Sequence, residues 1–473
     1  MSDQKSISYT IYTKAALVTL LGITTALIGT LMGLNTQQTL ALTVFLIKTY
    51  ATLFLWSHRL PFGFLGLFAL FFLGLIDIKY FIDHSHLDVI VFLIALMTII
   101  GYLEEDQFFE FITRELIRRI GFSFKIVFMV IFFLSGFLAP LVDEVTAVLI
   151  MSSIVFSLSD RLGIDPFPLT LAVIFSVVIG GSITPLGNPV SILIAFESGY
   201  SFVDFLRWAA PISILSLLVT NFLLLRRFRS YIEAADVKLE EKIIAGEGLE
   251  RIDVPRQILL KDASIFLATL FMLALHHTFE ELMGLGKNIL LLAIPFLMTG
   301  IILIMDPEKG FKAFEHRVEW PTLVFFLTLF TAVGALDKVG IIRLLAEWIA
   351  SFKGMGTEIL IVIFTVLTVP MSAFMDNVVA ASIFAQVIHN FENVGINTAP
   401  FWWLALINSV YAASLTPIGS TANIVVAGIL EKRYKKPVSF AEWIKHGIPV
   451  ALATITLAVL LICLQLPLMQ HYP

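Results

Sequence analysis

The sequence predicts an all-α polytopic membrane protein of about 11 transmembrane helices, with two re-entrant hairpins and two broken helices arranged as an inverted repeat. Three observations predict it. Of 473 residues, 58% are hydrophobic and only 14% charged, whereas about a quarter of the residues in a soluble domain carry charge. Apolar runs recur along the chain to its C-terminus. Finally, one unusual pattern is written twice: Pro140-Leu141-Val142-Asp143-Glu144-Val145 with Thr184-Pro185-Leu186-Gly187-Asn188 downstream, and Ser372-Ala373-Phe374-Met375-Asp376-Asn377-Val378 with Thr416-Pro417-Ile418-Gly419-Ser420 at a matching interval.

Continuous spans are expected at 11–32, 40–56, 62–76, 89–103, 210–225, 263–279, 289–305, 320–336 and 448–466. The first has no small-residue cleavage site followed by a soluble mature domain, so it reads as a span rather than a signal peptide. Lys48 in the middle of the second either faces the protein interior or marks a misplaced boundary. The net charge of -5 says little, because charge location decides topology. The most polar stretch, 226–262, carries Arg226, Arg227, Arg229, Lys238, Lys242, Arg251, Arg256 and Lys261. The positive-inside rule puts it in the cytoplasm as a linker between two halves. His58-Arg59, the segment 309–317 and the cluster Lys432-Arg433-Tyr434-Lys435-Lys436 then also fall inside, and the acidic loop 83–88 outside. The expected protein sits in the cytoplasmic (inner) membrane with a cytoplasmic N-terminus. It divides into N-terminal helices (1–61), a first repeat (62–227), a linker with connecting helix (228–287), a second repeat (288–467) and a tail (468–473).

Length identifies the unusual elements. Crossing the hydrocarbon takes roughly 20 apolar residues, but the runs at 126–139 and 146–158 hold only about 14 and 13. Asp143-Glu144 lies between them, so they read as a hairpin that enters from the cytoplasm and returns. The runs at 359–369 and 378–388, around Asp376-Asn377, read as the same device from the outer side. Conversely, 167–195 and 402–430 would each exceed about 40 Å as straight helices. Gly and Pro interrupt both, so each reads as two half-helices joined by unwound backbone, which survives at membrane depth only where it lines a protein cavity.

The duplication runs further. Gly101-Tyr102-Leu103 precedes Asp143 by the interval at which Gly334-Ala335-Leu336 precedes Asp376, and the segment 201–211 recurs at 439–449. The first repeat starts outside and the second inside, so the two are inverted, which gives a carrier two nearly equivalent conformations. In both halves an amphipathic stretch, 104–120 and 338–352, separates the first helix from the hairpin. The first sets Phe108, Ile112, Leu116 and Ile120 on one face with Arg114, Arg118 and Arg119 elsewhere. These are helices lying in the interface, either arms joining a moving domain to a fixed one or simple surface packing.

A carboxylate at bilayer depth costs about 2.5–3.5 kcal/mol and calls for a partner or a function. Asp143, Glu144 and Asp376 are such residues. Hairpin tips meeting the breaks would form a polar pocket of Asp143, Glu144, Thr146, Thr184, Gly187, Asn188, Ser372, Asp376, Asn377, Thr416, Gly419, Ser420 and Asn423. The acids suit Na⁺ or protons, with Asp143, Asn188, Asp376 and Asn423 as sodium ligands. Half-helix N-termini after Gly187 and Gly419 suit an anion. The alternative is that Asp143 and Asp376 only cap the returning helices; for the Thr-Pro-x-Gly pairs it is an ordinary kink. No Arg or Lys, the usual anion clamps, lies in the motif segments.

The Asp143-Glu144-Val145-Thr146 and Asp376-Asn377-Val378 tips, with Thr184-Pro185-Leu186-Gly187-Asn188-Pro189 and Ile418-Gly419-Ser420-Thr421-Ala422-Asn423, resemble the ion transporter superfamily. That group includes arsenite permeases, NhaD-type sodium/proton antiporters, the melanosomal P protein, citrate transporter-like permeases and divalent anion/sodium symporters. The resemblance covers about 62–466. It implies hairpin tips and breaks that hold substrate and coupling ion, a homodimer, and an elevator-like movement. Glu144 departs from the Asn found in many arsenite-permease-like members, and the tandem Ser-Asn-Thr signatures of dicarboxylate symporters are absent.

The reading is a secondary active transporter moving a small inorganic or carboxylate anion, coupled to Na⁺ or H⁺ by alternating access, with the lipid bilayer as its environment. Sodium-for-proton exchange of the NhaD type is the alternative. No cofactor and no nucleic acid are expected. An embedded enzyme finds no support: there is no His-Glu-x-x-His, no Gly-x-Ser-x-Gly and no phosphate-binding loop. His276-His277 sits at a span edge without further ligand-type neighbours, which points to an interfacial role. The single Cys463 excludes a disulfide framework and a cysteine metal site.

Overall fold

The computed structural model describes residues 2–55, 58–119, 123–244, 254–435 and 438–469; at 2–12, 114, 116–119 and 242–244 it describes the backbone alone. Trp56, Arg251, Lys436, Ile120 and 470–473 lie outside the described residues, as do the side chains of Arg114, Leu116, Arg118, Arg119 and Lys242. The chain is an all-helical membrane protein. Among the described residues, nine helices are long and apolar enough to cross a bilayer.

Helices α1 (Ser2–Leu31) and α2 (Thr36–Phe54) pair through a turn closed by a capping box, in which Asn35 Oδ1 accepts from Gln38 N at 2.9 Å and Gln38 Oε1 from Asn35 N at 3.0 Å. Helix α3 (Arg59–Phe72) packs on α2 and on α17 (Trp320–Lys338). Lys48 faces the interior: it is 3% exposed, its stem lies on Gly66, and its Nζ donates to the Thr328 carbonyl at 2.6 Å. A short α4 (Ile78–Asp83) precedes α5 (Leu87–Glu105) and the amphipathic α6 (Phe108–Arg119). The basic linker is itself largely helical, as α13 (Arg229–Ile244) and the start of α14 (Arg256–Met283). His276, near the end of the expected span 263–279, is fully buried within α14 and bonds the Leu273 carbonyl through Nδ1. Helices α15 (Ile289–Met305), α16 (Pro307–His316) and α18 (Ile341–Ala350) complete this part of the bundle.

The first hairpin is α7 (Phe124–Val142) and α8 (Glu144–Leu162), joined at Asp143; the second is α19 (Thr357–Phe374) and α20 (Asn377–Asn393), joined at Met375-Asp376. Their arms run 19, 19, 18 and 17 residues, longer than their apolar runs. Hydropathy ends where charge begins, but the helices continue through Lys125 and Asp160-Arg161. The hairpins enter from opposite ends of the bundle. At the linker end, Asp236 on α13 accepts from Phe124 N at 2.5 Å, and Lys238 donates to the Gly163 carbonyl at 2.5 Å. There too Asp106, after α5, pairs with Lys261 at 3.5 Å. At the other end of α5, Glu197 pairs with His86 at 3.1 Å and with His389 on α20 at 2.7 Å.

The broken helices are α9 (Phe167–Gly180) with α10 (Pro189–Ser198), and α21 (Ala399–Ala412) with α22 (Thr421–Tyr434). Every residue of α9 and of α21 is buried, the mark of a helix apolar on all sides inside a large core. The first break, 181–188, is buried throughout, and in the second only Leu415, Pro417 and Ile418 are half-buried, a setting in which irregular backbone is tolerated. Helix α7 crosses α9 and α19 crosses α21. At the first crossing a Cβ on Gly180 would lie 1.9 Å from the Gly136 carbonyl oxygen, so only glycine fits. The segment 201–211 forms α11 (Phe202–Asp204), a π-turn (Phe205–Ala209) and the start of α12 (Ala210–Arg227), whereas its counterpart runs smoothly into α23 (Phe440–Met469).

Candidate ion and substrate site

Each break is held open by its own side chains. After α9, Asn188 caps α10 by accepting from Ser191 N at 2.8 Å, and the Ser191 hydroxyl donates to the Gly181 carbonyl at 3.0 Å. A Cβ on Gly187 would sit 2.2 Å from that same carbonyl oxygen, so the turn requires glycine. After α21, Ser420 caps α22 by accepting from Ala422 N at 3.1 Å. Asn423 Nδ2 donates to the Ala413 and Thr416 carbonyls at 2.8 and 3.1 Å. Ser420 thus does the work of Asn188, and Asn423 that of Ser191.

Both tip aspartates are caps. Asp143 Oδ1 accepts from Val145 N at 2.8 Å and Thr146 N at 3.1 Å, and Asp376 Oδ1 from Val378 N at 3.0 Å. The first tip is sharper: Asp143 alone turns the chain, at φ 107°, a backbone region costing about 1–3 kcal/mol for a non-glycine residue. Each tip is tied to the break of its own half. Thr184 donates its hydroxyl to the Pro140 carbonyl and Thr416 to the Ala373 carbonyl, both at 2.5 Å and both three residues ahead of the tip aspartate. Ser372 bonds the Ser409 carbonyl at 2.6 Å, which places it on the α19–α21 seam below the tip.

The halves then cross. Helix α8 packs against α22 and α10 against α20. The Ser420 hydroxyl donates to Glu144 Oε1 at 3.0 Å, and the Thr421 hydroxyl to Asp376 Oδ2 at 3.3 Å. The carboxylates of Asp143 and Asp376 lie within electrostatic reach of Glu144. Asp143, Glu144 and Asp376 are only 5%, 2% and 1% exposed. Glu144 Oε2, Asn188 Nδ2, Asn377 Nδ2 and Asn423 Oδ1 are buried without a protein partner. Such an atom costs about 1–3 kcal/mol, and the usual remedy is a bound water, ion or ligand. Two of these atoms accept, as a cation needs, and two donate, as an anion needs. Asn188 and Asn423 spend their other amide atoms on their own breaks, so each has one atom to offer.

One residue escaped the sequence reading. Arg59 at the start of α3, assigned from its charge to a cytoplasmic loop, reaches into the second tip. Its Nη2 donates to the Thr322 hydroxyl at 2.8 Å and its Nη1 to the Thr421 hydroxyl at 3.3 Å, while the guanidinium lies over Phe325, 5.4 Å from the ring centroid. The motif segments carry no cation, but the fold brings one to them. The only trace in the sequence is a basic residue two places before Pro61 at the mouth of a span. At the linker end, a cavity of about 290 Å³ lined by Glu104, Glu105, Glu110 and Arg317 reaches Leu149 and Ile150 of α8.

The sequence model described as "Citrate transporter" matches residues 15–410 and 351–470. An uncharacterised transporter of Mycobacterium bovis is 28% identical over 393 residues, covering 81% of this chain and 87% of the relative. The 46 kDa membrane protein of Mycobacterium leprae is 29% identical over 379 residues, covering 78% and 84%. The human P protein is 24% identical over 503 residues, covering 90% of this chain and 59% of its own length. The fold is similar to that of the YdaH transporter of Alcanivorax borkumensis, with a TM-score of 0.54 at 17% identity, covering 83% and 87%. With a match over most of its length, a helical bundle of a known transporter fold and two tip-and-break centres at its heart, this chain belongs to the citrate transporter family.

Proposed function

We propose that this membrane transporter moves an inorganic or carboxylate anion, coupled to Na⁺ or H⁺, by an elevator-like alternating-access cycle. The observation that carries the proposal is the Ser420–Glu144 hydrogen bond at 3.0 Å, which joins the acid of the first hairpin to the second break. A cation held by Glu144 and Asn423 Oδ1 would bear on both halves at once. The anion would meet the N-termini of α10 and α22 and the unpartnered amide nitrogens of Asn188 and Asn377. The citrate transporter description of the matching family favours a carboxylate. In this proposal 62–227 and 288–467 are the inverted repeats, the N-terminus and linker face the cytoplasm of an inner membrane, and the cavity between Glu104 and α8 is the inner approach. The carrier works as a homodimer.

The test is purified protein in liposomes enclosing a pH-sensitive dye, pulsed separately with Na⁺, Li⁺ and labelled citrate or phosphate. Uptake of labelled anion that requires Na⁺ or a proton gradient is the expected result. A Na⁺-evoked pH response that needs no anion would replace it with sodium/proton exchange.

A further inference from the structure

We propose that Arg59 is the group through which cation and anion binding are coupled: the transported anion and Asp376 compete for one guanidinium, so the anion binds only after a cation has neutralised Asp376. The proposal rests on the anion reading above and adds to it a residue and a reason for coupling.

The geometry is a chain of five groups. Thr421 accepts a hydrogen bond from Arg59 at 3.3 Å and donates one to Asp376 at 3.3 Å. Thr322 accepts from Arg59 at 2.8 Å and donates to the Glu319 carboxylate at 3.1 Å. The guanidinium thus faces two carboxylates through two hydroxyls, and among the described residues the fields of Asp376 and Glu319 reach it. Arginine is the side chain best shaped to hold a carboxylate or oxyanion with two parallel bonds. Here its negative partners are reached by way of hydroxyls that a ligand can displace. Helix α22 begins at Thr421, so its N-terminus favours a negative charge at the same point, and the Asn377 amide nitrogen, 1% exposed and unpartnered, belongs to the same tip.

Among the described residues the first tip has no such arrangement. The hydrogen bonds to Asp143 and Glu144 come from Val145 N, Thr146 N and the Ser420 hydroxyl. The two centres therefore differ in charge, acid alone at the first and acid with arginine at the second. An anion placed beside Arg59 while Asp376 is ionised would meet a like charge in a dry site, which is strongly unfavourable. Na⁺ or a proton on Asp376 removes that repulsion and frees the guanidinium. By linkage, the anion then raises affinity for the cation by the same factor. The space beside Asp376 is now about 10 Å³, room for one water, so the anion seats only when Thr421 and Asp376 move off Arg59. The other charged groups nearby are Glu144 on α8 and Lys48, which lines that same space.

The experiment measures binding of labelled citrate and labelled phosphate to purified protein in nanodiscs, in Na⁺ against choline at neutral pH and in choline at acid pH. Wild-type affinity should rise roughly 10-fold or more with Na⁺ or acid, within the usual range of couplings. Asp376→Asn should bind the anion equally with and without cation. Arg59→Gln should weaken anion binding by roughly 30-fold or more yet still bind labelled Na⁺ at the first tip, and Arg59→Lys should recover part of the loss. Thr421→Val, which removes neither charge, should lower the cation dependence and serves if the charge variants do not fold. Wild-type anion affinity in Arg59→Gln, or undiminished cation dependence in Asp376→Asn or Thr421→Val, would overturn the coupling role and leave the anion reading standing. Failure of wild-type protein to bind either anion under any condition would overturn both.

Discussion

The Ser420 hydroxyl donates to the Glu144 carboxylate at 3.0 Å, across 276 residues of sequence. It is the cap of α22, so one side chain sets the start of a half-helix and restrains the acid on the opposite hairpin. The second carboxylate oxygen, Oε2, has no protein partner among the described residues.

Ser420→Ala leaves a buried carboxylate oxygen unsatisfied and should cost about 1.5–3 kcal/mol, read as a lower thermal unfolding temperature of the purified protein. Glu144→Gln keeps the shape but should abolish cation-driven uptake. In the Glu144→Gln background, Ser420→Ala should cost clearly less than it does alone. Additive losses in this double-mutant cycle would show that the pair is idle.

The hydroxyls of Thr184 and Thr416 tie each tip to its break. Thr184→Val and Thr416→Val preserve volume and remove the tip bond; Thr416→Val should cost about 1 kcal/mol, and Thr184→Val somewhat more because its hydroxyl also accepts from Leu186 N at 3.3 Å. Because the two bonds are equivalent, both variants should slow transport to a similar degree in the liposome assay. A loss confined to one of them would break the equivalence of the halves.

Gly180→Ala drives a Cβ onto the Gly136 carbonyl oxygen, a backbone atom that cannot give way. Overpacking usually costs about 1–3 kcal/mol and here should reach or pass the upper end, seen as lost monodisperse protein in fluorescence-detected size exclusion. Gly428→Ala, in α22 with nothing within 4 Å, should be tolerated and can gain up to about 1 kcal/mol of helix propensity.

His86 gives a pH signature at the end of the bundle away from the linker. Burial pushes its imidazole down, but the hydrogen bond and charge of Glu197, with help from Asp88 and against His389, hold it above its ordinary value. A raised folded value means stabilisation that is fully present below about pH 6.5, the unfolded value, and is lost as pH rises through the folded one. The stability gap between wild type and His86→Gln should therefore be widest in acid and close in alkali, measured by thermal unfolding from about pH 5 to 9.

Much of this was legible in the chain. The span at 289–305 matches its helix at both ends, and those at 89–103 and 320–336 lie within helices that outrun them by two residues at an end, because hydropathy reports what lipid and core both demand. The tips and breaks were legible because Pro, Gly and buried acids are costly in a membrane and their recurrence in register is hard to explain otherwise. The hairpin arms were underestimated because their helices extend past their apolar cores.

What the sequence by itself determined was therefore the local grammar: which segments are helical and apolar, where the helix must break, and which acids are buried among apolar residues. The tertiary structure alone decided which charges meet. Arg59 and Asp376 stand far apart in the chain, and Ser420 serves Glu144 rather than its own hairpin; such pairings follow from how α3, α8, α17 and α22 pack, and hydropathy, which is a local sum, holds no record of them.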